Sequence, residues 1–241
     1  MSPHEIGLYA SAAVVVSVGL RTLVLVSPTD GSGAGGSAGN GGSPGEVLAV
    51  VRAALARRPW ATLTLFAVMA VMAVVQYALP AVVDDLIRQP GALTDGQWWR
   101  AGTALLVQSS GITQIACNLP ALLVVGAVAE SVFGRWRTLA VFLISGVLAH
   151  VVSLAGWSPR GGGDSVAICG LAGALAVTCL LRGKALGLMF KGSWFVLLVP
   201  AAGLFLCVLH NNHGVGLLAG CLLGLVLAVR TRTRLAQPGA A

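Results

Sequence analysis

The sequence predicts an all-α membrane protein, a six-transmembrane-helix bundle preceded by a further apolar segment. Three observations predict this fold class. Of the 241 residues, 56% are hydrophobic and only 10% are charged, whereas a soluble domain usually has about 25% charged residues. Six apolar stretches follow one another, each close to the ~20 residues that span a bilayer. Basic residues also collect in alternate connections between these stretches, as they do in membrane proteins.

The six predicted spans cover most of the chain after the first 60 residues. Several are shorter than a full span, which is acceptable for helices that begin below the membrane surface. The predicted spans are residues 61–83, 112–133, 138–157, 165–181, 192–210 and 213–229.

The charge pattern predicts that both ends of the six-helix core are cytoplasmic, because Lys and Arg concentrate in cytoplasmic connections. Eleven of the 15 basic residues fall on one predicted face. The opposite connections hold only Arg88, Arg100 and Arg160, and Arg21 lies in the N-terminal apolar segment. The eleven are Arg52, Arg57, Arg58, Arg135, Arg137, Arg182, Lys184, Lys191, Arg230, Arg232 and Arg234.

The first 46 residues differ in composition from the rest. Residues 6–26 are apolar apart from Arg21 and match a secretory signal poorly; an extra transmembrane helix and an amphipathic surface segment both remain open. A Gly/Ser-rich run follows, which is typical of a linker. We therefore divide the chain into an apolar N-terminal segment (1–27), a flexible linker (28–46), a membrane domain (47–230) and a cytoplasmic tail (231–241).

Charge and cysteine content exclude several function classes. The net charge of +7 comes from scattered pairs and triplets that suit membrane topology, so we expect no nucleic-acid partner. All five cysteines fall inside apolar segments without a Cys-x-x-Cys or Cys/His cluster, so we predict no disulfide and no metal site. Nothing in the sequence indicates a cofactor.

Polar residues recur at the outer ends of the second, fourth and sixth predicted spans. Gln114 and Asn118 share one helix face, Asp164 and Ser165 open the fourth span, and His213 opens the sixth. Polar groups at membrane depth are costly and face a cavity or one another. A serine nucleophile, a histidine base and amide oxyanion donors are one interpretation. Helix caps and an interfacial histidine are the alternative.

Glycines add a packing argument. Gly216, Gly220 and Gly224 recur every fourth residue in the sixth span, while Gly170 and Gly173 lie in the fourth. Small residues at this spacing let helices approach closely in lipid. Such packing would bring Ser165 and His213 together, although helix packing without chemistry uses the same glycines.

These residues together resemble the rhomboid family of intramembrane serine proteases, over roughly residues 61–229. The resemblance implies that Ser165 is the nucleophile, that His213 is the general base, and that Asn118 and Gln114 donate to the oxyanion. It implies structural roles for Gly216 and Gly220, to which the small-residue spacing adds Gly173. It also implies that three residues hold the loop 84–111 against the bundle: Trp99, Arg100 and Glu130. The motif runs Trp99-Arg100, Asn118, Glu130, Gly163-x-Ser165 and His213-x-x-Gly216-x-x-x-Gly220.

The chain departs from this family's pattern in four places. Val166 follows the serine where the family has glycine, Gln114 replaces a histidine, Cys169 replaces an aromatic residue, and Asp164 puts a carboxylate beside the nucleophile. Two hypotheses follow: an intramembrane protease that cleaves transmembrane segments, and a catalytically inactive pseudoprotease that binds membrane-protein clients. A transporter or channel is a third, disfavoured because no acidic residue lies in the middle of a span.

The composition also bears on the source and the location. Thirteen arginines against two lysines, with abundant Ala, Gly and Val, are typical of a GC-rich bacterial genome. We therefore expect a multi-pass protein of the bacterial cytoplasmic membrane whose site lies near the outer face. The expected partners are transmembrane proteins, as substrates or as clients, and the lipid bilayer.

Overall fold

The computed structural model describes residues 15, 18–19, 21–22, 44–185 and 194–235, and this part of the chain is helical, without a β-strand. Three helices are long and apolar enough to cross a membrane: Trp60–Ala78, Ile112–Phe133 and Arg135–Trp157. Three shorter apolar helices accompany them: Ser165–Leu181, Phe195–Val208 and Asn212–Ala228. The predicted linker up to residue 43, the first residues of the predicted fifth span and the end of the tail lie outside the described residues.

The main helices follow the predicted order. A π-helical turn, Ser153–Trp157, extends α6, and a 3-10 turn, Trp194–Leu197, precedes α8. In chain order the α-helices are α1 (Pro44–Ala56), α2 (Trp60–Ala78), α3 (Ala81–Leu86), α4 (Arg100–Thr103), α5 (Ile112–Phe133), α6 (Arg135–Val152), α7 (Ser165–Ala185), α8 (Leu198–Val208) and α9 (Asn212–Leu235).

Some boundaries differ from those predicted. The first predicted span continued to residue 83, but α2 ends at Ala78 and a separate short helix begins at Ala81. The intervening Pro80 explains the break, because a proline disfavours helical geometry in the residue before it and cannot donate a backbone hydrogen bond. At the two ends of the membrane domain, α1 begins at Pro44, inside the predicted linker, and α9 continues to Leu235.

The closest helix contact joins α7 to α9 through glycines. A Cβ atom on Gly220 would collide with the backbone of Gly170, and one on Gly216 would collide with the carbonyl oxygen of Val166. A Cβ on Gly173 would collide with the carbonyl oxygen of Leu217. Since only glycine fits at these points, the two backbones touch, as the every-fourth-residue pattern predicts.

The outer surface of the bundle is apolar. Val71 and Val74 on α2, Val208 on α8 and Leu222 on α9 are between 61% and 73% exposed. A soluble protein would bury such side chains, whereas lipid accepts them. The described part of the chain therefore has the surface of an integral multi-pass membrane protein.

Glu130 is placed differently from the sequence-based expectation. Its carboxylate accepts hydrogen bonds from the backbone N–H groups of Ala61 and Thr62, at 3.1 and 2.8 Å, and from the Thr62 hydroxyl at 2.9 Å. These N–H groups open α2, where the helix dipole favours a negative charge. The expectation that Glu130 holds the loop after α2 is wrong, because that loop begins at the other end of the helix.

Arg100 makes contacts inside the loop between α2 and α5. The Arg100 guanidinium donates to the carbonyl oxygens of Asp84 and Ile87 at 3.0 and 2.7 Å and to the Gln97 side chain. The same guanidinium lies 4.8 Å from the centre of the Trp99 ring, within cation-π range. These contacts close the loop on itself.

Candidate active site

The glycine loop before α7 (residues 161–163) packs against the loop that follows α2. The backbones of Arg88 and Gly161 pair as an isolated antiparallel bridge, and the Ser109 hydroxyl donates to the Gly162 carbonyl oxygen at 2.9 Å. Gly163 has φ +150°, and a Cβ there would collide with the amide of Gln114. Only glycine fits this left-handed, crowded position. The loop thus fixes the start of α7.

Ser165 and His213 lie within hydrogen-bond distance. The Ser165 Oγ atom is 2.8 Å from His213 Nε2. Ser165 is the first residue of α7, and His213 lies in the first turn of α9. The glycine contact between these helices sets both residues at the same depth, so the packing predicted from sequence brings the two side chains together.

Asn211 is the residue that sequence reasoning missed at this site. It precedes α9, and its Oδ1 atom accepts the backbone N–H of His213 at 2.9 Å, which is the usual bond of a helix N-cap. The same Oδ1 lies 2.8 Å from His213 Nδ1. His210, with φ +54°, makes the turn that brings Asn211 back toward α9. An Asn directly before a helix is a capping signal, but its second contact with the imidazole has no sequence signal.

These contacts determine the tautomer of the imidazole. A backbone N–H can only donate, so the Asn211 atom that it meets must be the oxygen and not the amide nitrogen. Because that oxygen can only accept, His213 Nδ1 carries the proton. His213 Nε2 then has a free lone pair, and the Ser165 hydroxyl donates to it.

A second polar cluster lies beside the pair. Asp164 Oδ1 accepts hydrogen bonds from Gln108 Nε2 at 2.8 Å and from Asn118 Nδ2 at 2.9 Å. Asn118 Nδ2 also donates to Gln108 Oε1 at 2.8 Å. An amide nitrogen has two protons, so both protons of Asn118 are already used. Gln108, which sequence reasoning also missed, carries no motif of its own.

The Asp164 carboxyl group is fully buried, and its Oδ2 atom has no hydrogen-bond partner among the described residues. Burial raises the pKa of Asp164, while the hydrogen bonds from Gln108 and Asn118 act in the opposite direction. Desolvation disfavours the charged form, so this position tolerates a neutral carboxylic acid better than an exposed site does. The Asp164 side chain faces Gln108 and Asn118, and the partner of the His213 imidazole is Asn211.

Gln114 lies over the glycine loop. Its Nε2 atom donates to the Gly162 carbonyl oxygen at 3.0 Å, and its Oε1 atom accepts the backbone N–H of Ser110 at 2.8 Å. His150 approaches the same loop from α6, with Nε2 at 3.2 Å from the Gly163 carbonyl oxygen. The predicted oxyanion donors Gln114 and Asn118 therefore contact the residues just before Ser165, but both make hydrogen bonds within the protein.

The other predicted residues lie away from Ser165 and His213. Trp99 and Arg100 belong to the loop after α2, Glu130 to the opposite end of α2, and Gly173, Gly216 and Gly220 to the helix seam. Across the described residues, no group of three or more His, Cys, Asp or Glu side chains is arranged to hold a metal ion.

An apolar cavity of about 260 Å³ adjoins Ser165. Ser165 and Asn118 supply its polar edge, and α5 and α7 supply two walls. Three residues near the N-terminus, Val15, Gly19 and Thr22, supply another wall.

Comparisons with known proteins identify a family for this chain. Residues 95–232, more than half of the chain, match the model of the Rhomboid domain family. The chain is 38% identical to the rhomboid protease AarA of Providencia stuartii over 58 residues, which are 24% of this chain and 20% of that protein. It is 31% identical to the rhomboid protease GluP of Bacillus subtilis (strain 168) over 97 residues, 40% of this chain and 19% of that protein. The aligned segments thus span about a fifth of each relative.

Proposed function

This chain belongs to the rhomboid family, and from that membership we propose that it is an intramembrane serine endopeptidase. Ser165 is the nucleophile, His213 is the general base, and the substrates are transmembrane segments of other membrane proteins. Both matched relatives are named as rhomboid proteases, which supports the same reaction class here.

One observation carries this proposal: Ser165 Oγ and His213 Nε2 are 2.8 Å apart, with the histidine tautomer that accepts the serine proton. A serine is a weak nucleophile unless a base takes its proton as it attacks, and this distance lies within the ≈ 2.6–3.2 Å that such a transfer requires. A helix cap or an interfacial histidine needs neither the contact nor the tautomer.

The reaction proceeds in two steps. Ser165 Oγ bonds to the carbonyl carbon of the scissile peptide as its proton moves to His213 Nε2. The resulting tetrahedral oxyanion then collapses. The C–N bond breaks, His213 returns the proton to the leaving nitrogen, and an ester remains on Ser165. Water then attacks the ester carbonyl carbon as one of its protons moves to His213 Nε2. The ester C–O bond breaks, and His213 passes this proton to Ser165 Oγ, which releases the carboxylic acid and restores both residues.

The oxyanion needs donors that are still free. Asn118 has both of its amide protons in use, by Asp164 and Gln108. Gln114 uses one proton on Gly162 and retains a second. The backbone N–H of Ser165, at the start of α7, points along a helix N-terminus, where negative charge is stabilised. We assign oxyanion stabilisation to Gln114 and this N–H, and to Asn118 once it leaves Asp164.

Orientation follows from the charge pattern. With the basic connections in the cytoplasm, Ser165 and His213 lie toward the outer face of a six-span bundle in the cytoplasmic membrane. The site then opens to clients from the lipid side, next to the cavity lined by α5 and α7.

A second candidate function is a pseudoprotease that binds membrane-protein clients without cleaving them. The saturated amide of Asn118 favours it, because loss of one oxyanion donor typically costs ~10²–10³ in kcat. The buried Asp164 carboxyl group favours it too: when ionised, it repels a neighbouring oxyanion in a low dielectric. Under this reading the Ser165–His213 contact is retained without turnover.

The experiment that distinguishes the protease from the pseudoprotease is labelling of the purified protein with a fluorophosphonate probe, which reacts with activated serines. An active rhomboid protease is the positive control, and Ser165→Ala and His213→Ala are the matched variants. We expect labelling of the wild type that is lost in both variants. A folded wild type that stays unlabelled while the control reacts would contradict the protease and leave the client-binding pseudoprotease.

A further inference from the structure

Four of the five described residues near the N-terminus form one face of a helix. Val15, Val18, Gly19 and Thr22 follow the i, i+3, i+4, i+7 spacing of such a face. Val18 is 8% exposed and Thr22 is 2% exposed, whereas Arg21, which lies off this face, is exposed. From here on, the name N-terminal segment refers only to these five described residues. One side of it is buried against the rest of the protein.

The buried side covers the cavity beside the nucleophile. Val15, Gly19 and Thr22 line this cavity opposite α5 and α7, and Ser165 lines it too. Val18 belongs to the main hydrophobic core, with Val15 packed against it. The Thr22 hydroxyl donates to the Val18 carbonyl oxygen at 2.8 Å, so the segment satisfies its own polar group and presents an apolar face.

A second contact anchors the N-terminal segment far from Ser165. The Arg21 guanidinium lies 5.7 Å from the centre of the Phe195 ring, a cation-π distance. Phe195 precedes α8, which returns to the His213 end of the bundle over roughly 13 residues, or about 20 Å of helix. The N-terminal segment is therefore attached to the bundle both at the cavity and at Phe195, which precedes α8.

A client transmembrane helix would need the same surface. To reach Ser165 it must lay an apolar face against α5 and α7, where the N-terminal segment now lies. Because residues 23–43 join this segment covalently to α1, its local concentration at the cavity does not fall on dilution, and a tethered ligand is hard to displace.

We propose that the N-terminal segment is an intramolecular occupant of the client-docking face beside Ser165, and that it competes with substrate helices for this face. The regulation rests on the proposed protease function, whereas the docking itself does not. The segment resembles a client in chemistry: an apolar helix with a small residue, Gly19, facing the cavity.

The structure offers substitutions that act in opposite directions. Val18 is buried in the core, so Val18→Trp overpacks its site and should displace the segment. Gly19 faces open space, since an added Cβ would meet no described atom within 4 Å. Gly19→Leu should therefore fill the cavity and hold the segment more tightly. Val71→Trp, on the lipid-exposed face of α2, is the control for a bulky substitution elsewhere.

The test measures docking and cleavage separately on the full chain in lipid nanodiscs. Docking is measured by the rate at which N-ethylmaleimide modifies Cys169, which lines the cavity. A docked segment shields this thiol and lowers the rate, and peptide mass spectrometry resolves Cys169 from the other cysteines. Cys117, which is exposed, is the internal reference. Cleavage is measured on a single-span reporter protein that an active rhomboid protease cuts.

We expect Val18→Trp to raise both rates several-fold, Gly19→Leu to lower both, and Val71→Trp to change neither, with Cys117 modified equally throughout. If Val18→Trp leaves the Cys169 rate unchanged, the docking proposal is overturned, whatever the cleavage rate. If the Cys169 rates follow the expected order while no variant cuts the reporter, the docking stands and the protease function fails.

Discussion

Two polar groups meet at the start of α7, and they are built in opposite ways. In the Ser165–His213 pair, Asn211 leaves one imidazole nitrogen with a free lone pair directed at a hydroxyl. In the cluster of Asp164, Asn118 and Gln108, every amide proton of Asn118 is spent inside the protein. The first arrangement can take up a proton during a reaction, whereas the second stabilises the resting structure. Proximity to Ser165 therefore does not by itself give a polar residue a part in the proposed reaction, which also needs hydrogen-bonding groups that the resting structure leaves unused.

The largest expected effect is at Asn211. Asn211→Leu removes the acceptor that keeps the proton on His213 Nδ1, and the other tautomer cannot accept the Ser165 proton. We expect fluorophosphonate labelling to slow by about 10²-fold or more, since loss of the correct tautomer is far more costly than loss of a cap.

Asn211→Asp keeps an acceptor at the same position and is the matched variant, in which labelling should largely persist. The lost cap itself costs about 1 kcal/mol of unfolding free energy, which thermal unfolding measures independently. Equal labelling of Asn211→Leu and wild type would show that Asn211 does not set the tautomer on which the reactivity of Ser165 depends.

The next effect comes from the glycine contact between α7 and α9, where Gly220 meets Gly170. This contact positions Ser165 and His213, which lie at the start of these two helices. In Gly220→Ala the new methyl group collides with the backbone of Gly170, so α9 must move relative to α7. We expect a loss of about 1–3 kcal/mol in unfolding free energy together with slower labelling.

Gly102→Ala is the control, because a Cβ there meets no described atom within 4 Å. Its thermal midpoint and labelling rate should match the wild type. If Gly220→Ala were as stable and as reactive as this control, close packing would not determine the Ser165–His213 distance.

A substitution in the cluster should separate stability from reactivity. Gln108→Leu leaves Asp164 with one donor fewer and Asn118 without one acceptor. A buried polar group that loses its partner costs about 1–3 kcal/mol, so the thermal midpoint should fall. Labelling per folded molecule, however, should stay equal or rise, because one proton of Asn118 becomes free. A large loss of labelling in the folded fraction would contradict this prediction and show that the reactivity of Ser165 depends on Gln108.

The smallest effect is a pH dependence of stability at Asp164. Burial raises the pKa of its carboxyl above the reference value of 3.8, so the native state binds this proton more tightly than the unfolded state does. The free energy of unfolding should therefore fall as pH rises from about 3.8 through the native pKa. Asp164→Asn should lack this slope, while Asp85→Asn, at an exposed carboxylate, should retain it. Identical pH profiles for Asp164→Asn and wild type would contradict the raised pKa.

Sequence reasoning predicted the helical fold class and the meeting of α7 with α9, because hydropathy and small-residue spacing are local properties of the chain. It also predicted that Ser165 and His213 approach each other, since the glycines carry that information. It was wrong about Glu130, whose position on α5 is readable but whose partner at the start of α2 is not. The i,i+4 spacing of Gln114 and Asn118 indicated a shared face, but not which groups this face meets.

The sequence by itself determined that this chain is an integral membrane protein, in which order its main helices follow one another, and which two helices pack closest. These follow from residue composition and period, which act over one or two helical turns. Only the tertiary structure decided which hydrogen bonds are used. The meeting of Ser165 with His213, the saturation of Asn118 by Asp164 and the cover of the cavity by residues near the N-terminus depend on atoms far apart in the chain. The proton of His213 depends on Asn211, two residues away, but on a side-chain contact that the sequence does not show.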